Sequence, residues 1–141
     1  MSIENGFYLI FSSGPGVGKL VISPTAHPTL PPYHFIRGSL TKDQREIFKV
    51  TQVEGSYLYT IHSTTRPNAA LHIQGELIVA SEALGSATSF SIEPAGEGVH
   101  RIHVPAQDSV ATILSLKDKL HVASADGTPS QLFTFQRLLS E

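Results

Sequence analysis

Two sets of residues in this chain have the types that do chemistry, and their spacing decides what they can do. Ser13-Gly14-Pro15-Gly16-Val17-Gly18-Lys19-Leu20 approaches a phosphate-binding loop. That loop needs Gly where Ser13 stands, Ser or Thr where Leu20 stands, and a helix directly after it to face the phosphates. Instead, Lys19-Leu20-Val21-Ile22-Ser23-Pro24 reads as a strand stopped by proline, so the segment is a Gly-rich hairpin loop. Seven histidines raise the question of a metal. His100 and His103 are three apart on a predicted strand and point to opposite faces, while His27, His34, His62, His72 and His121 fall on other segments. No ligand spacing results. The chain has no Gly-x-Ser-x-Gly elbow, no His-Glu-x-x-His and no cysteine. The expectation is a protein that is not an enzyme and uses no cofactor or metal.

The bulk numbers narrow the partners. A net charge of −2, a pI near 6.4 and singly scattered Lys and Arg give no field for nucleic acid. No apolar run approaches a membrane span, and the start lacks a basic segment ahead of an apolar signal core. A cytoplasmic protein of one domain, 1–141, is expected, with 40% apolar residues to build its core.

Apolar and polar residues alternate with period two almost throughout, the mark of half-buried strands. Twelve strands are predicted: 6–12, 18–23, 33–38, 45–51, 57–63, 70–74, 77–82, 88–93, 99–104, 110–116, 119–124 and 131–138. They repeat in fours. Phe48, Phe90 and Phe133 are 42 and 43 residues apart, and Glu76-Leu77-Ile78-Val79-Ala80-Ser81 returns as Lys119-Leu120-His121-Val122-Ala123-Ser124. Tyr8-Leu9-Ile10, Tyr59-Thr60-Ile61 and His100-Arg101-Ile102 form a third set. Three units of roughly 45 residues, four strands each, describe an all-β β-trefoil: a six-stranded barrel and a three-hairpin cap. Ile10, Phe48, Ile61, Phe90, Ile102 and Phe133 should fill the barrel.

Function should sit where the units differ. Between the second and third strands, the second unit has a Gln74-Gly75 turn and the third is expected to have a Lys117-Asp118 turn. The first has Pro24-Thr25-Ala26-His27-Pro28-Thr29-Leu30-Pro31-Pro32. Four of the chain's nine prolines lie there. Proline restricts its own φ and the residue before it, so such a loop loses little entropy on docking. This makes 24–32 the candidate recognition loop.

With its Cys-free trefoil pattern, the opening Met-Ser-Ile-Glu-Asn-Gly-Phe-Tyr, Gly6-Phe7-Tyr8-Leu9-Ile10 and Tyr59-Thr60-Ile61, the chain resembles the small β-trefoil protease inhibitors of mushrooms. Mycocypins, cospins and cocaprins are such families, and size and pI fit cocaprins best. The resemblance implies reversible inhibition through projecting loops and a part in fungal defence. Loop 24–32 has no Arg or Lys for a trypsin-like pocket; Leu30 among prolines suits papain-like cysteine proteases and also pepsin-like aspartic ones. Asn68 matches the place where mycocypins present an Asn to legumain. Gly14, Pro15, Gly16, Val17 and Gly18 are expected beside the long loop as a second wedge. The alternative is a carbohydrate-binding lectin, because Gln131-Leu132-Phe133 resembles the Gln-x-Trp signature of ricin-type trefoils. Modest charge and apolar loop residues are compatible with a homodimer.

Overall fold

Residues 3–24, 26–28, 31–42, 45–66 and 69–138 are described by the computed structural model. The period-two segments form β1 (Gly6–Ser12), β2 (Lys19–Ile22), β3 (His34–Ser39), β4 (Phe48–Gln52), β5 (Leu58–Ser63) and β6 (Ala70–Gln74). They continue as β7 (Leu77–Ser81), β8 (Phe90–Pro94), β9 (His100–His103), β10 (Ser109–Thr112), β11 (His121–Ser124) and β12 (Phe133–Arg137). One 3-10 turn, Pro129–Gln131, leads into β12.

Six strands close on themselves. β1 pairs with β4, β4 with β5, β5 with β8, β8 with β9, β9 with β12, and β12 with β1. Closure leaves that ring no free edge, which is how so much β sequence avoids sticking to copies of itself. The other six strands are the hairpins β2–β3, β6–β7 and β10–β11. Pairs Phe35–Val79, Leu77–His121 and Lys119–Arg37 link the hairpins in a triangle. The fold is all-β and β-trefoil-like.

The core lies where the spacing put it. Phe48, Phe90 and Phe133 are fully buried, and Ile10, Ile61 and Ile102 join them. Ile36, Ile78 and Leu120 fill corresponding positions under the three hairpins. Tyr8 and Tyr59 bury their rings but donate their hydroxyls to the Glu4 and Ile3 carbonyls, at 2.6 and 2.7 Å. Each buried polar end thus keeps a partner.

Most strand ends fall within two residues of expectation, and two boundaries differ by more. The predicted strand 45–51 starts at Phe48: the Ile47 carbonyl accepts from the Thr64 amide and hydroxyl, and Glu46, on the same inward parity as Phe48 and Val50, is buried against Ser63 and Thr65. The predicted strand 110–116 stops at Thr112, and the β10–β11 connection is residues 113–120 rather than a Lys117-Asp118 turn. The cause is Asp118. Its carboxylate accepts from the Leu114 and Lys119 amides at 2.7 and 2.8 Å, and its own amide donates to the Ser115 carbonyl. These local bonds replace ladder bonds, as short acidic side chains do in turns. The first unit is therefore not alone in carrying a long connection.

Candidate functional site

The 24–32 loop is a hairpin extension with a built base. Ser23 N–H donates to the Phe35 carbonyl at 2.8 Å, and His27 N–H donates to that of Tyr33 at 2.7 Å. The His34 ring contributes a 2.8 Å bond to the Ser23 carbonyl; a carbonyl only accepts, so Nδ1 carries the proton. Above this frame His27 stacks on Tyr33, with centroids 4.9 Å apart and rings 4° from parallel. Phe35 meets both edge-on, and Lys119 Nζ sits 4.2 Å over the Phe35 ring. Pro24, Ala26, Pro28, Pro31 and Pro32 are exposed and His27 is half-buried. Thr25, Thr29 and Leu30 lie outside the described residues.

A second loop, 63–69, is organised by a buried acid. Glu46 Oε2 accepts from the Ser63 and Thr65 hydroxyls, both at 2.6 Å. Ser63 Oγ in turn accepts from the Thr65 and Arg66 amides, and Thr64 bonds the Ile47 carbonyl through both its amide and its hydroxyl. Hydrogen bonds to a charged acceptor are among the stronger ones available, so this loop is stiff at its root. Asn68 lies outside the described residues.

The two loops converge. A cleft of about 250 Å³ is lined by Ala26, Pro32 and His34 from the first loop and its strand, Arg66 and Ala69 from the second, and Ser81 and Glu82 at the end of β7. Ser81 Oγ donates to the Pro32 carbonyl at 2.7 Å and ties the far side of the 24–32 loop down. Arg66 and Glu82 bring opposite charges to the lining.

The Gly-rich loop does not join them. It lies at the opposite end of β2, so the expected wedge beside 24–32 does not form. Gly14 is buried and Val17 is wholly inside the core; Ser13, Pro15 and Gly16 are exposed, and Gly18 is half-buried. Ser13 N–H reaches the Leu132 carbonyl at 2.9 Å. A Cβ on Gly18 would sit 2.3 Å from the Ser39 carbonyl oxygen, and one on Gly38 would sit 2.5 Å from that of Val17. This loop instead backs a different cleft of about 370 Å³, lined by Arg37, Gly38, Ser39, Leu40, Thr41, Leu116 and Lys117. Leu40, Leu116, Glu46 and Asp118 were all missed from sequence. Glu46 carried a signal in its inward parity with Phe48, while Leu40, Leu116 and Asp118 left none in the period-two pattern.

Gln131, the lectin-like residue, is a clamp. Its amide is buried, accepts from Asp126 N–H at 2.8 Å, and donates to the Ser124 carbonyl at 2.8 Å and to Thr112 Oγ1 at 3.3 Å. The Asp126 carboxylate accepts from the Thr128 amide and hydroxyl, bonds that hold it below the usual carboxylate range. Among the described residues no three His, Asp or Glu gather as metal ligands.

No protein-family model and no curated protein matches the chain. Solved structures do. A proteinase inhibitor from Coprinopsis cinerea superimposes with a TM-score of 0.75 at 17% identity, over 97% of this chain and 100% of its own. A salivary protein from Culex, of the Cysteine and Tryptophan-Rich family, gives 0.79 at 11%, over 97% and 96%. The Macrolepiota procera ricin B-like lectin, solved with lactose, gives 0.70 at 17%, over 98% and 100%. At such identities the likeness shows the fold. One fold here carries an inhibitor and a lectin, so function must be argued from the site.

Proposed function

We propose that this protein is a β-trefoil of three four-stranded repeats that inhibits proteases reversibly. The targets are papain-like cysteine proteases and also pepsin-like aspartic ones. Insertion of the 24–32 loop into the active-site cleft occludes it without offering a bond that turns over. The observation that carries this is the convergence of two separately anchored loops, 24–32 and 63–69, on one cleft. Rigid, solvent-facing loops on a closed barrel lose little entropy when an enzyme closes on them. The inhibitor needs no nucleophile or cofactor for this. Asn68, on the second loop, is proposed as the contact for an Asn-specific protease.

The test shortens Pro24–Pro32 to a Gln-Gly turn like that at Gln74-Gly75. The variant should keep the far-UV spectrum of a β protein and lose inhibition of papain. If it folds and still inhibits papain with unchanged potency, the assignment of 24–32 is wrong and passes to 63–69.

A second reading, glycan binding, is favoured by one feature. Tyr57 is 69% exposed beside a shallow cleft shared with Gln52, Ser91 and Glu93. An exposed ring flanked by amide and carboxylate suits a sugar, whose apolar face stacks while its hydroxyls bond. A glycan array decides it: saturable binding abolished by Tyr57→Ala would rank the lectin reading first, and a blank array removes it. A cytoplasmic location and a homodimer are carried forward as proposals; light scattering over a range of concentrations tests the dimer.

A further inference from the structure

Two of the four exposed large apolar side chains among the described residues, Leu40 and Leu116, line one cleft. Leu40 is 60% exposed and Leu116 39%, on the two segments that wall the cleft, and Leu114 (64%) stands two residues before Leu116 on the same connection. Apolar residues scattered singly need no explanation, but leucines on facing walls of a concavity do.

Cations surround them. Arg37 and Lys117 line the cleft, Lys19 Nζ donates to the Thr41 carbonyl at 3.1 Å, and Lys42 follows Thr41. These are four of the chain's ten Lys and Arg, in a protein of net charge −2. Asp118 sets one negative charge against them, its two oxygens held by the Leu114 and Lys119 amides. Asp43 lies outside the described residues.

Both walls are preset. Gly18 has φ of +78°, which permits the close approach to Ser39 that fixes the base of Leu40. Ser39 Oγ accepts from the Thr41 amide at 3.2 Å. On the other side Asp118 gathers the 114–119 backbone around its carboxylate. Exposed leucines on a stiff backbone lose little freedom on being covered.

We propose that this cleft docks a protein segment carrying an apolar side chain flanked by Asp or Glu. The leucines cover the apolar side chain, and the rim of Lys and Arg orients the acids and speeds the encounter. Concavity is what selects a peptide over a lipid surface: about 370 Å³ receives a side chain, whereas a flat bilayer would leave the cleft unfilled. The site is separate from the 24–32 loop, so a ligand here and a protease there do not compete for the same residues.

The probe is a fluorescein-labelled peptide, Glu-Asp-Leu-Phe-Asp-Glu, compared with its analogue bearing Lys for every acid and with phosphatidylserine vesicles. The acidic peptide should bind saturably, more weakly as salt is raised, and shift the amide resonances of 37–41 and 115–117. Leu40→Ser with Leu116→Ser, and separately Arg37→Glu with Lys117→Glu, should each weaken it about tenfold or more, a difference of about 1.4 kcal/mol. All four side chains are exposed, so both variants should fold, and papain inhibition should match that of the unaltered protein. The proposal is overturned by no binding, by equal binding of the basic analogue, by vesicle binding in place of the peptide, or by shifts elsewhere. Loss of papain inhibition in either variant would instead merge this cleft with the protease site and overturn its separateness.

Discussion

The two clefts occupy corresponding places in the repeated strand pairing, yet they present opposite chemistry. In each, a long hairpin connection faces the loop after an outer ring strand, with a strand end between them. Ser12 and Ser63 end β1 and β5, and each accepts from the amide two residues on. Ser39 and Ser81 end β3 and β7 and do the same. The frame is shared down to these bonds. What differs is the next layer: Leu40 follows Ser39 where Glu82 follows Ser81, and leucines with lysines replace prolines with Arg66. At the third corresponding place the connection is Gly75-Glu76, too short to make a wall. A repeated backbone can thus be specialised by a few connections without disturbing the core beneath.

The largest effect should come from striking what both clefts share. Phe90→Ala removes a fully buried ring of the closed barrel and should cost about 3–5 kcal/mol in chemical denaturation. A midpoint within error of the unaltered protein would sink the shared-core account. Glu46→Ala should come next, at about 2–3 kcal/mol, because it strips a charged acceptor from two hydroxyls. Hydrogen exchange at the Thr65 and Arg66 amides should quicken and protease inhibition weaken, while binding of the acidic peptide at the leucine cleft stays put. Equal loosening of residues 114–119 would erase the distinction between the clefts. Asp118→Ala makes the opposite test and should be milder, about 1 kcal/mol, since its bonds are solvent-exposed. It should loosen 114–119 and the acidic-peptide site alone.

The smallest effect is one of pH. His72 on β6 is buried, its Nε2 finds no hydrogen-bond partner among the described residues, and burial lowers its pKa below the ordinary 6.5. The nearby His62 lowers it further, while the backbone carbonyls of Ser81 and Ser86 oppose the shift. The unfolded chain therefore takes up this proton first. The stabilisation is fully present above about pH 6.5 and is lost as pH falls through that value toward the folded pKa. Ser81 also holds Pro32, so acid should weaken the proline-rich cleft before the leucine one. His72→Leu should flatten the decline in melting temperature between about pH 7 and pH 5. An unchanged slope would assign the titration to another histidine.

Period-two alternation and the 42- and 43-residue spacing were enough, read alone, to determine an all-β chain of twelve strands, the buried identities of Phe48, Phe90 and Phe133, and the oversized 24–32 connection. These are properties of local backbone preference and of which face each side chain takes, and both are written in neighbouring residues. Tertiary structure alone decided that 24–32 meets 63–69 and that 13–18 does not, because strand pairing sets which loops share an end of the barrel. It also decided which hydroxyls the inward Glu46 meets and that Asp118 ends β10 early. Each outcome rests on a bond to a residue that periodicity does not see. Asp118 satisfies backbone donors nearby and so overrides the alternation its neighbours suggest, whereas Glu46 keeps that alternation and finds its hydroxyls 17 and 19 residues away.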